Sequence, residues 1–468
     1  MKRFIQLNKI PLLFVLITAV FYGVFAFELQ RNDFVKLITL YGALFYAAFK
    51  IIQLFKWNFN FLIGLSILFR LIFLFALPNL SQDYFRFIWD GRLVLQGINP
   101  YIMTATEWLQ DDIIHISQAQ ELITGMGALN AGHFSNYPPI NQLCFAIAAL
   151  FSPNGILGSV AVMRLLIIAA DIGTLIIGRK LLRRIGLPEH QIFWYILNPF
   201  IIIELAGNLH FEGVMLFFML ASLYLLHKGN WFWSSVLMGV SISVKLLPLM
   251  FLPLLWQLLI KDHASTIVTV KLKNLLKTTS ASIIKVTRFY GIVFLTVGLT
   301  FFPFISGELL SNFLETTALW FQKFEFNASL FYVIRWFGFL IKGYNVIGES
   351  ARILPILVLL FILALVFFRK NLNIQQLITA MLLSVSFYFL FATTVHPWYV
   401  ATPLILCVFT KYRFPIVWSA LVMLSYSAYE LEIVEENLWL VSLEYVLVIG
   451  YAGWELFLKN KKLEKLQV

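Results

Sequence analysis

The sequence predicts an all-α polytopic membrane protein of about 14 transmembrane helices, with a large external first loop. Three observations predict it. Hydrophobic residues make up 60% of the 468, charged residues only 13%, and the mean hydropathy is +0.84. A soluble globular protein carries about 25% charged residues, and half that density does not cover a water-facing surface of this size. The apolar residues also fall in runs of the length a bilayer needs, roughly 20 residues for about 30 Å. Finally, the basic residues are unevenly placed between those runs. Together these exclude a soluble enzyme, a disordered chain and a nucleic-acid-binding domain. The net charge of +11 is therefore read by location, because polytopic proteins collect Lys and Arg in cytoplasmic loops.

The first run, 10–27, follows Lys2, Arg3 and Lys9 as a signal peptide would. Phe27-Glu-Leu-Gln follows it where a small-residue cleavage site would stand, so it reads as a retained membrane helix. Further full-length candidates are 34–54, 60–78, 157–178, 190–206, 288–305, 353–369, 374–394 and 438–457. Shorter pieces are 212–227, 231–244, 246–260, 398–411 and 413–429. Two more runs, 138–152 and 329–343, are decided by charge. Crossing at 138–152 would put Arg179, Lys180, Arg183 and Arg184 outside, and crossing at 329–343 would do the same to Arg369 and Lys370. Held at the interface, they leave both termini cytoplasmic.

The cytoplasmic segments then hold 23 of the 35 Lys and Arg residues. The external loop 79–137 carries six acids (Asp83, Asp90, Glu107, Asp111, Asp112 and Glu121) against two arginines. The whole chain, 1–468, reads as one transmembrane domain, with an external catalytic loop at 79–156 and a basic cytoplasmic loop at 261–287 that suits acidic membrane lipids. Cys144 and Cys407 lie in apolar runs as packing residues.

The external loop has the composition of a structured segment. From Ser81, a potential helix cap, the chain reads Gln-Asp83-Tyr-Phe-Arg86-Phe-Ile-Trp89-Asp90-Gly-Arg92. Asp83, Arg86 and Asp90 share one helical face at i, i+3 and i+7, which predicts an amphipathic helix at the outer surface with a carboxylate flanked by an arginine. The bland reading is a solvated charged face. Gly97-Ile-Asn99-Pro-Tyr101 ends that helix with a turn. Four other polar groups fall on the same side under this topology: Asn136-Tyr137-Pro-Pro, Asn208-Leu-His210-Phe-Glu212, Lys245, and His396-Pro-Trp398-Tyr399. Lys245 sits between two short apolar pieces, and a lysine in the membrane costs about 3 kcal/mol or more unless it meets a cavity or partner. Arg164 and Asp171 read as structural charges that neutralise each other or neighbouring helices.

These residues resemble the GT-C superfamily of polytopic glycosyltransferases that use polyprenyl-phosphate sugars, and most closely the bacterial polyprenol-phosphate-mannose-dependent α-mannosyltransferases. That family carries Asp-x-Tyr-Arg-Tyr-x-Trp-Asp-Gly-Arg, then Gly-x-Asn-Pro-Tyr, in its first large external loop. The chain has Asp83-Tyr-Phe-Arg86-Phe-Ile-Trp89-Asp90-Gly91-Arg92, then Gly97-Ile-Asn99-Pro100-Tyr101. Tyr137-Pro-Pro, Asn198-Pro, Gly-Asn-x-His at 207–210, Lys245, Phe326-Asn-Ala-Ser and His396-Pro-Trp-Tyr follow in a similar order, so the resemblance covers about 60–410. It implies inverting transfer of a hexose, by the resemblance mannose, to a lipid-linked or glycan acceptor on the periplasmic side of a bacterial inner membrane. Asp83 matches the carboxylate that takes the acceptor proton. Ser81 stands where related enzymes begin an Asp-x-Asp pair, so a divalent metal has no paired-carboxylate motif behind it and no cofactor is expected with certainty.

Elementary chemistry runs the same way. A polyprenyl donor stays in the membrane, so a cation must meet its phosphate at the hydrocarbon edge; Lys245 is placed for this and Arg86 could help. An alcohol needs a base to attack. Trp89, Tyr137 and Trp398 offer faces for sugar stacking; Asp90, Asn99, Tyr101, His210, Glu212, His396 and Tyr399 complete the expected substrate-binding set. Two competing classes are a polytopic transporter or lipid flippase, for which no internal repeat is visible, and a glycan polymerase or ligase with a different donor.

Overall fold

The computed structural model describes residues 8–110, 115–260, 280–431 and 433–459. Among these the chain is helical throughout; the one β feature is an isolated parallel bridge between Phe326 and Thr394. Seven helices are long and apolar enough to cross a membrane: Lys9–Phe27, Phe34–Phe55, Ile156–Arg184, Ile283–Phe304, Ile347–Phe368, Ile374–Phe391 and Leu438–Leu458. An eighth span arises if the bent pair Ile201–Gly207 and Glu212–His227 counts as one. Of six shorter apolar helices, four stand at shorter runs of the sequence reading, Phe59–Ile72 stands at the full-length candidate 60–78, and Pro139–Phe151 stands at the run expected at the interface. The protein is an integral membrane protein. Most of the 261–287 loop, with Asp111, Asp112, Lys2 and Arg3, lies outside the described residues.

Helix starts are set locally. Asp33, Asn58, Asn230, Asn373 and Asn437 each accept a bond from the backbone N–H two or three residues on, as side-chain caps do. Helix ends are set by tertiary contacts in two places where the apolar run continues. The run at 60–78 stops being helical at Ile72, and the run at 190–206 breaks at Asn198-Pro199 into a short helix, Phe193–Ile196, and a π-helical turn, Ile201–Gly207. Arg164, fully buried, donates to the carbonyls of Phe73, Leu74, Ala76, Ala206 and Gly207. One guanidinium thus satisfies the free carbonyls at two helix ends. Asp171 pairs with Arg70 at 2.8 Å, so of the two expected arrangements, with each other or with neighbouring helices, Arg164 and Asp171 take the second.

The segments expected to face outward meet at one end of the bundle. Asn79 Nδ2 donates to the carbonyls of Phe25 and Leu29, and Leu80 N donates to Asn208 Oδ1. Asn99 reaches the Phe304 carbonyl, Asn312 those of Tyr101 and Ile102, and Thr316 that of Phe134. The basic groups expected on the other side share the opposite end, where Arg179 and Arg183 hold Glu189 and Arg413 reaches Gln191.

The Asp83–Leu95 helix departs from its expected form. Residues 86–93 are all buried, under the helices Pro139–Phe151 and Ala119–Ala131. Gly91 permits this: a Cβ there would lie 2.3 Å from the Phe145 carbonyl oxygen. The charges are neutralised internally, so burial of the polar face is tolerated. Arg86 pairs with Asp90 at 2.7 Å and donates to the carbonyls of Asn130 and His133; Asp90 also accepts from Ser135 and Gln142.

Candidate active site

Asp83 is the first residue of its helix, so its carboxylate sits where unpaired N–H groups favour negative charge. Ser81 Oγ accepts from the Asp83 N–H at 3.3 Å. Through Asn79 and Leu80 the preceding three residues are tied to the turn after Lys9–Phe27 and to Asn208. The carboxylate itself is partly buried, and no hydrogen bond or ion pair reaches it among the described residues. Burial raises its pKa to about 6, against the pull of Arg31 and Lys245 and with a push from Glu212. At neutral pH it is mostly ionised and close to ideal for accepting a proton.

Around it stand groups from five segments. Lys245 occupies an extended break between Trp231–Val244 and the Pro-containing turn Leu247–Leu255. Its ammonium pairs with Glu212, the buried first residue of Glu212–His227, and lies 4.4 Å from the centre of the Tyr399 ring. The bend of 108° between Ile201–Gly207 and Glu212–His227 brings Glu212 and His210 to the site. His210 stacks on Trp398 at 3.6 Å, and Trp398 stacks in turn on His396 at 4.6 Å. Burial, with Lys245 and Arg31 nearby, pushes His396 down to about 3, so its imidazole is neutral. The Phe326–Thr394 bridge holds His396 beside Phe326, joining two motifs seventy residues apart.

Comparison with known proteins identifies the family. Residues 38–261 match the family model described as alpha-(1->6)-mannopyranosyltransferase, N-terminal domain. Residues 206–460, more than half the chain, match the model described as mannosyltransferase (PIG-M). The chain belongs to the PIG-M mannosyltransferase family. It is also 27% identical over 157 residues to alpha-(1->6)-mannopyranosyltransferase B of Corynebacterium glutamicum, which covers 33% of this chain and 24% of that relative. The chain therefore spans about a quarter of that relative's length in the match. Membership bears out the resemblance to the GT-C mannosyltransferases.

The site is smaller than the sequence set. Asp83, Glu212, Lys245, Tyr399, His210, His396 and Trp398 converge, and Tyr137 approaches through its contacts with Phe87 and Phe145. Arg86 and Asp90 face each other in the interior, which corrects their expected role at the surface. Trp89 is buried with its ring in the core, and Trp398 has imidazoles against it, so neither offers the free face expected for a sugar. Asn99 and Tyr101 hold the loop: Asn99 bonds the Phe304 carbonyl, and Tyr101 donates to the Tyr137 carbonyl at 2.6 Å. Of the cavity or partner that a lysine in the membrane calls for, Lys245 has the partner, an acid 33 residues away. Among the described residues no group of three or more His, Cys, Asp or Glu is placed to hold a metal ion.

Two residues were missed. Glu204 lies beneath His210 at 3.6 Å and accepts from Tyr426. Arg31 comes from the turn between the first two helices. Its signal was a basic residue in a loop whose predicted side is otherwise depleted of them.

Proposed function

We propose that this protein transfers mannose from a polyprenyl-phosphate mannose to a lipid-linked or glycan acceptor, with inversion, on the external face of a bacterial inner membrane. About 14 crossings, with 138–152 and 329–343 at the interface, fit this topology. The observation that carries the reading is Asp83: an unpartnered carboxylate at a helix N-terminus, with its pKa raised to about 6, among cations and aromatics at one end of a membrane bundle. Asp83 takes the acceptor hydroxyl proton as the oxygen attacks the anomeric carbon from the face opposite the phosphate. The carbon–oxygen bond to phosphate breaks, and its electron pair leaves with the lipid phosphate, which electrostatics rather than protonation stabilises.

Membership of the family supports mannose. The test is transfer of labelled mannose from polyprenyl-phosphate mannose by purified protein with a lipid extract as acceptor pool. Label in a new lipid or glycan product supports the reading. Label that only crosses a vesicle membrane, without a new product, supports a flippase instead.

A further inference from the structure

With Lys245 already neutralised by Glu212, the site still lacks a cation free to meet an incoming phosphate. Arg31 fills that place. It lies in the turn between Lys9–Phe27 and Phe34–Phe55, upstream of the first residue matched by either family model. The turn is fastened to the active-site segment by Asn79, which donates to the Leu29 carbonyl four residues before Asp83. The Arg31 guanidinium lies 3.4 Å from the centre of the Tyr429 ring. Its Nε is buried without a hydrogen-bond partner, and no carboxylate pairs with it among the described residues. Tyr429 continues into the site through Phe326 and His396. Stacking occupies one face of the planar guanidinium, and among the described residues none of its N–H groups donates a hydrogen bond, which leaves them for a two-pronged bond to phosphate oxygens. A cation held partly out of water without an anion is costly, and an anionic ligand offsets that cost.

We propose that Arg31, held flat on Tyr429, binds the phosphate of the polyprenyl donor and stabilises it as the leaving group. The proposal rests on the polyprenyl-phosphate reading above. In the transfer, the donor phosphodiester carries one negative charge. As the sugar carbon–oxygen bond breaks, the lipid phosphomonoester gains the electron pair and a second charge, while Asp83 holds the acceptor proton. Arg31 meets that second charge; the Lys245–Glu212 pair contributes little net field. Charge also reaches Asp83 from Arg31, so the same residue keeps the base ionised.

The test is equilibrium binding of labelled polyprenyl phosphate, without a sugar, to purified protein, with Arg31→Gln and Arg31→Lys compared with native. Arg31→Gln is expected to weaken binding at least tenfold with its melting temperature retained. Arg31→Lys, which keeps the charge and loses the fork, is expected to weaken it several-fold, and it serves as the readout should Arg31→Gln fail to fold. Unlabelled polyprenyl phosphate is expected to displace the label, and phosphatidylglycerol or inorganic phosphate at the same concentration is not. Displacement by phosphatidylglycerol as effective as by polyprenyl phosphate overturns the assignment in favour of a site for bulk anionic lipid; equally effective displacement by inorganic phosphate overturns it in favour of a free-phosphate site. Binding by both folded variants within twofold of native, where native protein does bind, overturns this proposal and leaves the function standing. Native protein that binds no polyprenyl phosphate overturns both, and native protein that binds it but transfers no sugar overturns the function and the leaving-group role, with Arg31 kept as a phosphate-binding residue alone.

Discussion

The two ends of the bundle treat charge in opposite ways. At the end bearing Arg179, Arg183, Glu189 and Arg413, ionised groups meet partners near water, and one carboxylate satisfies two arginines. At the other end, the two carboxylates of a single helix diverge. Asp90 is enclosed by Arg86, Ser135 and Gln142, whereas the Asp83 carboxylate, seven residues earlier, is held partly out of water with nothing bonded to it among the described residues. A satisfied charge builds the fold. An unsatisfied one in a polar cluster marks a candidate site.

Asp83→Asn sharpens that contrast most. Transfer should fall by about 100-fold or more, the usual scale for losing a general base, with no change in melting temperature. Near-native turnover in this variant would move the base to another carboxylate. Asp90→Asn should behave in the opposite manner: breaking a buried ion pair costs about 3–5 kcal/mol, so the melting temperature should drop while any correctly folded fraction keeps the native pH profile. A stable, inactive Asp90→Asn protein would place Asp90 in the chemistry.

The pH dependence follows from Asp83 acting as the ionised form. The rate at low substrate should fall as pH drops through about 6, tenfold per unit below it. Lys245→Met removes a positive charge that favours the carboxylate, so this limb should move to higher pH; it also strands Glu212 without its partner and should lower stability. Glu212→Gln removes a repelling charge and should move the limb to lower pH. Limbs that stay fixed in both variants would detach Asp83 from these groups. The smallest effect is expected at the opposite end. Two arginines hold the Glu189 carboxyl down at about 2, but the pair is largely solvated, so Glu189→Gln should leave activity unchanged and shift melting by little, with even that shift lost at high salt.

Much of this molecule is legible along the chain. Helical membrane architecture, the break at Lys245 and the turn after Leu95 follow from apolar run length and Pro and Gly positions. The motif at 83–101 also singles out Asp83 as the candidate base before any coordinate is known. These properties are local or additive, so one strand of sequence carries them. Partnership is neither. That Arg86 turns to Asp90 and away from Asp83, that Arg164 ends two helices at once, that Lys245 is answered by Glu212, and that Arg31 faces an aromatic ring with no acid paired to it among the described residues were decided by which helices pack together. The reason is electrostatic. The cost of a charge withdrawn from water depends on what stands within a few ångströms of it, and those neighbours come from segments up to four hundred residues apart.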